Sequence, residues 1–356
     1  MNTKTENNFD DSVLSVEHSG EGVEGGGKPS HQLNDAILSF DKIGISFQTK
    51  TGMFGKPQAL RAVQDVSFDL LRGEVLGIVG ESGSGKSTLA KLAMRLLEPT
   101  TGEILYEGKA IKSFKGVAQK QLRSDVQMVF QDPNASLNPR LTIEQSLQEP
   151  FILHDRGNKQ ERQAEIIRLL GVVGLPITVL QRYPHELSGG QKQRVVIARA
   201  LALKPKVLIA DEAVAALDAS VKAQIINLLL DLQKEFQLSI IFITHDLPMV
   251  QAMCDRVLVL YLGRLMEYAP REVIAQGGMH PYTRALWKSS PTANPDQAMT
   301  EEETLTGEIA SPLNPPSGCV FHTRCPQAVE RCKQVVPELI KLAPQHGVTC
   351  LLFDKT

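Results

Sequence analysis

Residues 80–87 read Gly-Glu-Ser-Gly-Ser-Gly-Lys-Ser, and no other stretch constrains the fold of this chain as strongly. The spacing is glycine, four free positions, glycine, lysine and a hydroxyl residue. It follows the apolar run EVLGIV (74–79), read as a buried strand, and precedes TLAKLAMRLL (88–97), read as a helix. Glycines at such a turn let backbone N–H groups point inward around phosphate oxygens. The helix that follows aims its positive end at the same charge. Lys86 is then placed to neutralise the β- and γ-phosphates, and the Ser87 hydroxyl to bind Mg²⁺. Gly80, Ser82, Gly83, Ser84, Gly85 and Thr88 complete the expected nucleotide contacts. A strand, phosphate loop and helix in this order demand an α/β fold.

The rest of the chain extends that pattern. KVLIAD (206–211) and SIIFITH (239–245) are further buried strands. Between them SVKAQIINLLLDLQKEF sets Val221, Ile225, Leu228, Leu229 and Leu232 on one helical face. Alternating strands and helices predict a mostly parallel sheet covered by helices. RVLVLY and RLMEY, joined by Leu262-Gly263, predict a closing hairpin. The stretch from about 133 to 200 contains the amphipathic NKQERQAEIIRLLGVVGL with no strand beside it, and is read as a helical insertion. The nucleotide-binding domain is thus expected over 36–270. Residues 1–35 carry seven acids against two lysines and the run GEGVEGGGKPS, the composition of a disordered acidic tail. From 271 to 356, prolines and four of the five cysteines mark a small C-terminal module.

The strand ending in Asp211-Glu212 delivers two acids to the edge of the sheet where ligands bind. Asp211 is expected to face Mg²⁺ through a water, and Glu212 to take a proton from the attacking water. Elsewhere two adjacent acids signal only a solvated loop; the buried strand before them and the phosphate loop upstream change the reading.

Residues 187–191 read Leu-Ser-Gly-Gly-Gln and lead into the helix KQRVVIARALAL. With this pentapeptide the chain resembles the ATP-binding cassette ATPases. Ser188, Gly189, Gly190 and Gln191 offer a hydroxyl and bare N–H groups at a helix N-terminus, a second anion site. The resemblance implies a P-loop NTPase cassette that hydrolyses ATP as a head-to-tail dimer. Two ATP molecules would be sandwiched, each between the phosphate loop of one subunit and the LSGGQ of the other. It implies roles at other matching positions. Gln131, in VFQDP, would contact Mg²⁺ and the attacking water; Asp218, in AALD, would communicate across the dimer; His245, in ITHD, would contact the γ-phosphate. Phe47 is the expected adenine-stacking ring, with Phe54 as the alternative in the inserted loop TKTGMFGKPQ. One departure stands out: Ala213-Val214-Ala215 follows the acid pair where the family commonly has Pro-Thr-Ser. All charged groups are retained, so hydrolysis is expected to survive.

Further stretches resemble the dipeptide, oligopeptide and glutathione importer branch: Asp-Glu-Ala-Val (211–214), FQDPNASLNPR (130–140), RYPHELSGGQ (182–191) and MHPYTRALWKS (279–289). The resemblance spans roughly residues 36–356. It implies two transmembrane permease partners, a second ATPase subunit that is identical or a paralogue, and an extracytoplasmic substrate-binding protein that acts indirectly. Cys319, Cys325, Cys332 and Cys350 have the spacing C-x5-C-x6-C-x17-C. Four thiolates suit Zn²⁺ or an iron–sulfur cluster. The branch associates this pattern with a [4Fe–4S] cluster, which is expected first and Zn²⁺ second. Reduced structural thiols are the plainer alternative, and Cys254 is read as a packed core residue.

Composition closes some doors. A net charge of −2 gives no electrostatic attraction to nucleic acid, and none is expected as a partner. No run of about 18 apolar residues spans a membrane, and MNTKTENNFDDSVLS lacks the order of a signal peptide. These features alone predict a protein that stays in the cytosol; the importer resemblance implies a peripheral location on the cytoplasmic face of the inner membrane. A soluble cassette ATPase acting on nucleic acid or ribosomes is the competing reading, and a non-hydrolysing regulatory cassette is a third.

Overall fold

A computed structural model of the chain describes residues 35–50, 57–289 and 308–354. The acidic tail (Asp35 apart), the loop carrying Phe54 and the stretch PTANPDQ lie outside the described residues.

Two long strands come first, β1 (Ala36–Lys50) and β2 (Pro57–Leu71), then β3 (Val75–Val79) and helix α1 (Lys86–Ala93). Strands β4 (Thr101–Tyr106) and β5 (Lys109–Ala110) return to β1, giving an antiparallel sheet in the order β2-β1-β4-β5. Its inner side is held by Phe40 stacked on Phe68, ring centroids 4.2 Å apart. Helix α2 (Val117–Asp125) leads to β6 (Val126–Val129). Four helices follow with no strand among them: α3 (Pro133–Ser136), α4 (Ile143–Leu153), α5 (Lys159–Val172) and α6 (Gly189–Leu201). The start of each of the last three is set by a reciprocal cap, Thr142 with Gln145, Asn158 with Glu161 and Ser188 with Gln191. Ile166, Leu169 and Leu170 of α5 are buried, one stripe of an amphipathic helix.

The alternation resumes with β7 (Val207–Asp211), α7 (Ala219–Phe236), β8 (Ser239–Ile243), α8 (Leu247–Met253) and the hairpin β9 (Arg256–Tyr261) and β10 (Arg264–Pro270). Leu262 and Gly263 both have positive φ, 46° and 76°, as the tight turn of such a hairpin requires. Helices α9 (Arg271–Ala275), α10 (Pro281–Lys288) and α11 (Glu330–Gln334) and strands β11 (Ile340–Ala343) and β12 (His346–Val348) complete the described chain.

The large sheet runs β11-β12-β10-β9-β3-β8-β7-β6. From β9 to β6 every neighbouring pair is parallel; from β9 outward to β11 the pairs are antiparallel. All residues of β3, β7 and β8 are buried, as a sheet covered on both faces demands. Val75 and Val79 face the layer that holds α7, α8 and the helical insertion, while Leu76 and Ile78 face the layer that holds α1 and the antiparallel sheet. β3, β8 and β7 are parallel neighbours, so their carboxyl ends lie along one edge, where the loop after β3 also begins. The C-terminal stretch is joined to the cassette by main-chain pairing, Glu267 opposite Val348 and Tyr268 opposite Gly347. Cys319, Val320, Phe321 and Cys332 share the buried cluster of Tyr261 and Tyr282.

Candidate functional site

The loop after β3 can be built only with glycine at its bends. Gly80 has φ 147°, and a Cβ there would lie 2.1 Å from the Leu260 carbonyl oxygen. Gly85 has φ 101°, and its Cβ would lie 2.6 Å from the Ala62 carbonyl oxygen. Directly after the second bend Lys86 is folded inward and only 6% exposed. Its Nζ donates to Gly80 O at 2.7 Å, Glu81 O at 3.0 Å and Ser84 Oγ at 3.4 Å. Burial pushes its pKa down, opposed by the charges of Glu212, Asp211 and Glu81. An ammonium whose contacting oxygens are all neutral is incompletely compensated. The loop thus fits an anion, as a phosphate-binding turn should.

Beside it, Ser87 Oγ donates to Asp211 Oδ1 at 3.1 Å. Asp211 is buried at the end of β7, and burial raises its pKa against the hydrogen bond from Ser87. A hydroxyl and a carboxylate facing each other are hard oxygen donors, the set that suits Mg²⁺. Glu212 follows in the left-handed region, φ 47°, an uncommon setting for a residue other than glycine. Its N–H is tied to Ile243 O at 3.0 Å. That bend carries its carboxylate to Gln131, whose Nε2 donates at 2.8 Å, and to within 3.5 Å of His245 Nδ1.

Asp211 lines one cleft together with Ser87 and Gln131, and a neighbouring cleft of about 440 Å³ opens over Lys86, Ser87, Gln131 and Glu212. Residues 82–88 of the loop, Phe47, Leu60, Ala62, Gln131 and Glu212 line it, Ser82, Gly83, Ser84 and Thr88 included, and so does Pro312. Phe47 sits on β1 opposite Leu60 of β2. Pro312, far along the chain, was not anticipated; no local pattern marks it.

Ser188, Gly189, Gly190 and Gln191 form a second place. Ser188 caps α6 by accepting from Gln191 N at 3.3 Å, and Gln191 Oε1 accepts from Ser188 N at 3.0 Å. Asp218 precedes α7 at its N-cap with no side-chain cap bond. The two segments touch: a Cβ on Gly190 would lie 2.6 Å from Val221 Cγ1. None of these residues is among those lining the cleft of Lys86.

Cys319, Cys325, Cys332 and Cys350 are free thiols within electrostatic reach of one another. Burial pushes the Cys319 and Cys325 thiols up to about 11, and raises that of Cys350. Among the described residues no three His, Cys, Asp or Glu side chains are arranged to hold a metal ion, so the four do not form a closed ligand set. Cys254 is fully buried beneath Gly77, a core position.

The ABC transporter family model matches residues 63–215, and that of the oligopeptide/dipeptide transporter C-terminal region matches residues 266–332. The oligopeptide transport ATP-binding protein AppF of Bacillus subtilis is 47% identical over 323 residues, 90% of this chain and 98% of that protein. The oligopeptide transport ATP-binding protein OppF of Haemophilus influenzae is 46% identical over 322 residues, 89% and 97% of the two chains. Among solved structures, cbiO1 of Clostridium perfringens, part of an ABC transporter complex, has a TM-score of 0.59. It is 32% identical, covering 68% of this chain and 92% of that one. An ATP-binding cassette solved as a dimer with ADP and Pi also has a TM-score of 0.59. There the identity is 29%, over 66% of this chain and 99% of the other. The chain therefore belongs to the ATP-hydrolysing cassette subunits of ABC transporters, in the branch that carries the oligopeptide/dipeptide transporter C-terminal region.

Proposed function

We propose that the chain powers the import of di- and oligopeptides, or small peptides such as glutathione, through two permease subunits that it binds at the cytoplasmic face of the cell membrane. The observation that carries this reading is the union, in one chain, of the Lys86–Ser87–Glu212 cleft, with Asp211 bonded to Ser87, and the oligopeptide-transporter C-terminal region. An extracytoplasmic binding protein would deliver the peptide to the permeases. Among the described residues no helix is long and apolar enough to cross a membrane, which is compatible with separate permease chains.

In this reading the loop amides and Lys86 hold the β- and γ-phosphates, and Phe47 stacks on the adenine. Bound Mg²⁺ would supply charge neutralisation at the phosphate oxygens, held by Ser87 and Asp211 with Gln131 near. Glu212 accepts the proton of the attacking water, Gln131 fixes the orientation of that carboxylate, and His245 reaches the γ-phosphate. Ser188, Gly189, Gly190 and Gln191 lie outside the chain's own cleft, which supports their serving the ATP of a second cassette, identical or a paralogue, with Asp218 signalling between the two.

The test is to purify the chain from detergent-solubilised native membranes and identify its companions. Two permeases, with or without a second cassette, bear the reading out. Recovery only from the soluble fraction, with ribosomal or nucleic-acid partners, overturns the transport role and leaves the cassette chemistry standing.

For the four C-terminal cysteines the reading is a [4Fe–4S] cluster first and Zn²⁺ second; it rests on their spacing and on thiols within electrostatic reach of one another, and not on a ligand set already closed among the described residues. Iron, sulfide and zinc analysis of anaerobically purified protein decides it, with Cys325→Ser expected to lose the group. Unchanged colour and metal content in that variant would leave four reduced structural thiols.

A further inference from the structure

The second residue of the phosphate loop is an acid, and it is gripped from outside the cleft. Arg324 Nη1 donates to Glu81 Oε2 at 2.7 Å and Nη2 to Oε1 at 3.1 Å, a two-pronged pair. The Arg324 side chain is 4% exposed. It belongs to the turn between Cys319 and Cys325, and its guanidinium lies 5.8 Å over the Tyr261 ring. Tyr282, at the head of α10, accepts the Glu81 N–H on its hydroxyl at 3.1 Å. Tyr261, Tyr282 and Phe321 pack together, with ring centroids 4.8–5.4 Å apart. The carboxylate and the N–H of Glu81 are thus both held by residues beyond β9. Its carbonyl meanwhile accepts from Lys86 Nζ at 3.0 Å.

A carboxylate on the rim of a phosphate seat repels the anion unless its charge is matched. Arg324 matches it. The Arg324 Nη1 also reaches the Tyr261 hydroxyl at 3.4 Å, while the buried Nε has no partner, so the two-pronged contact with Glu81 is the main polar anchor of the side chain.

We propose that Arg324, with Tyr282, is a positioning residue for nucleotide binding: through Glu81 it neutralises the rim and fixes the main chain from which Lys86 is held. The C-terminal region is then a working part of the ATP site. The inference rests on the assignment of this loop to ATP. Arg324 reaches none of the hydrolysing groups, so its loss should raise KM for ATP and leave kcat little changed.

The test is titration of the full-length chain with a fluorescent ATP analogue, paired with ATP turnover of the assembled complex. Arg324→Ala is expected to weaken binding on the order of tenfold. Arg324→Lys should restore part of the loss, having the charge without the fork. Glu81→Gln added to Arg324→Ala should restore most of it, because the unmatched charge is gone. Trp287, on the same helix as Tyr282, reports by its fluorescence whether the fold is kept. If Arg324→Ala fails to fold, Arg324→Gln, closer in length and equally uncharged, with and without Glu81→Gln carries the same comparison. Wild-type affinity in the folded Arg324 variant, or no relief from Glu81→Gln, overturns the proposal. Lys86→Ala separates the two layers. If it binds nucleotide like the wild type, the ATP-site assignment itself fails. If it loses nucleotide while Arg324→Ala does not, only the role of Arg324 fails.

Discussion

Gln131 Nε2 donates to Glu212 Oε2 at 2.8 Å, joining the loop after β6 to the end of β7. The contact places a neutral donor on a carboxylate that His245 approaches from another side at 3.5 Å. A carboxylate so held points one lone pair at a partner and keeps the other oxygen for a proton, the arrangement a general base needs.

Replacing Glu212 by Gln keeps the size and the hydrogen bonding of this position and removes its basicity. Hydrolysis should fall by about 10²–10⁴-fold while ATP binding survives. Phosphate release and retained nucleotide measure the two separately, and ATP-bound protein should accumulate as a closed dimer. Turnover near the wild-type rate would remove Glu212 from the role of base.

Asp211→Asn should separate stability from activity. Burial raises the Asp211 pKa in the folded chain, so the folded state holds its proton more tightly than the unfolded one. That contribution to stability is present below the ordinary carboxylate pKa and lost as pH rises through the folded value. At neutral pH, then, the wild-type chain without nucleotide bears the burden of a buried charge. The Asn variant should melt at a higher temperature there, the gap closing in acid, and Mg²⁺-dependent hydrolysis should be lost. A lower melting temperature at neutral pH would contradict this.

Acid should loosen the C-terminal region through one buried cluster. Glu267 accepts from Met279 N at 2.8 Å, His280 N at 2.9 Å and His346 Nε2 at 2.9 Å. Burial pushes Glu267 up, but these bonds outweigh it and its pKa ends below the ordinary value. His280 Nδ1 accepts from Tyr282 N at 2.9 Å, which a charged ring cannot do. Burial holds the His280 pKa down to about 4, from an ordinary 6.5. The stability it contributes is present above pH 6.5 and lost as pH falls through about 4. Folding stability should decline across that window by at most about 1.4 kcal/mol per pH unit for this one proton, and the melting temperature should fall with it. His280→Asn, which keeps an acceptor, should flatten the decline, and melting curves from pH 7 to pH 4 will show whether it does.

Gly190→Ala tests why the signature helix begins with glycine. Ala favours a helix by about 1 kcal/mol over Gly. Here its Cβ would stand 2.6 Å from Val221 Cγ1, on a β-branched side chain that cannot swing aside. The clash should win, destabilising the chain by about 1–3 kcal/mol. Pairing it with Val221→Ala should recover much of the loss in urea unfolding; an additive double variant would show that the contact is not the cause.

The parts of this molecule that could be read from sequence are those whose constraint is local. The phosphate loop needs glycines at fixed steps because carbonyls of Leu260 and Ala62 crowd two of them. Asp211 and Glu212 end a strand whose five residues are all buried, and so announce themselves. The antiparallel pair β1 and β2 was harder, since bulges between Phe40 and Ile45 break the alternation that marks a strand. Arg324 and Glu81 are 243 residues apart, and nothing near either names the other. β12 has only three residues, His-Gly-Val, too few to carry a period. Such features arise from how the sheet closes, which spacing along the chain does not record.

The pairing of β12 with β10 also bears on how the cassette can be cut or fused. A chain ended before Leu339 would keep every motif of the nucleotide cleft, yet the outer edge of β10 would be left with open N–H and C=O groups. Buried Glu267 would lose its His346 partner as well. An open strand edge recruits other strands. Shortened forms of this protein should therefore fail by sticking to one another, well before any loss of their chemistry is reached.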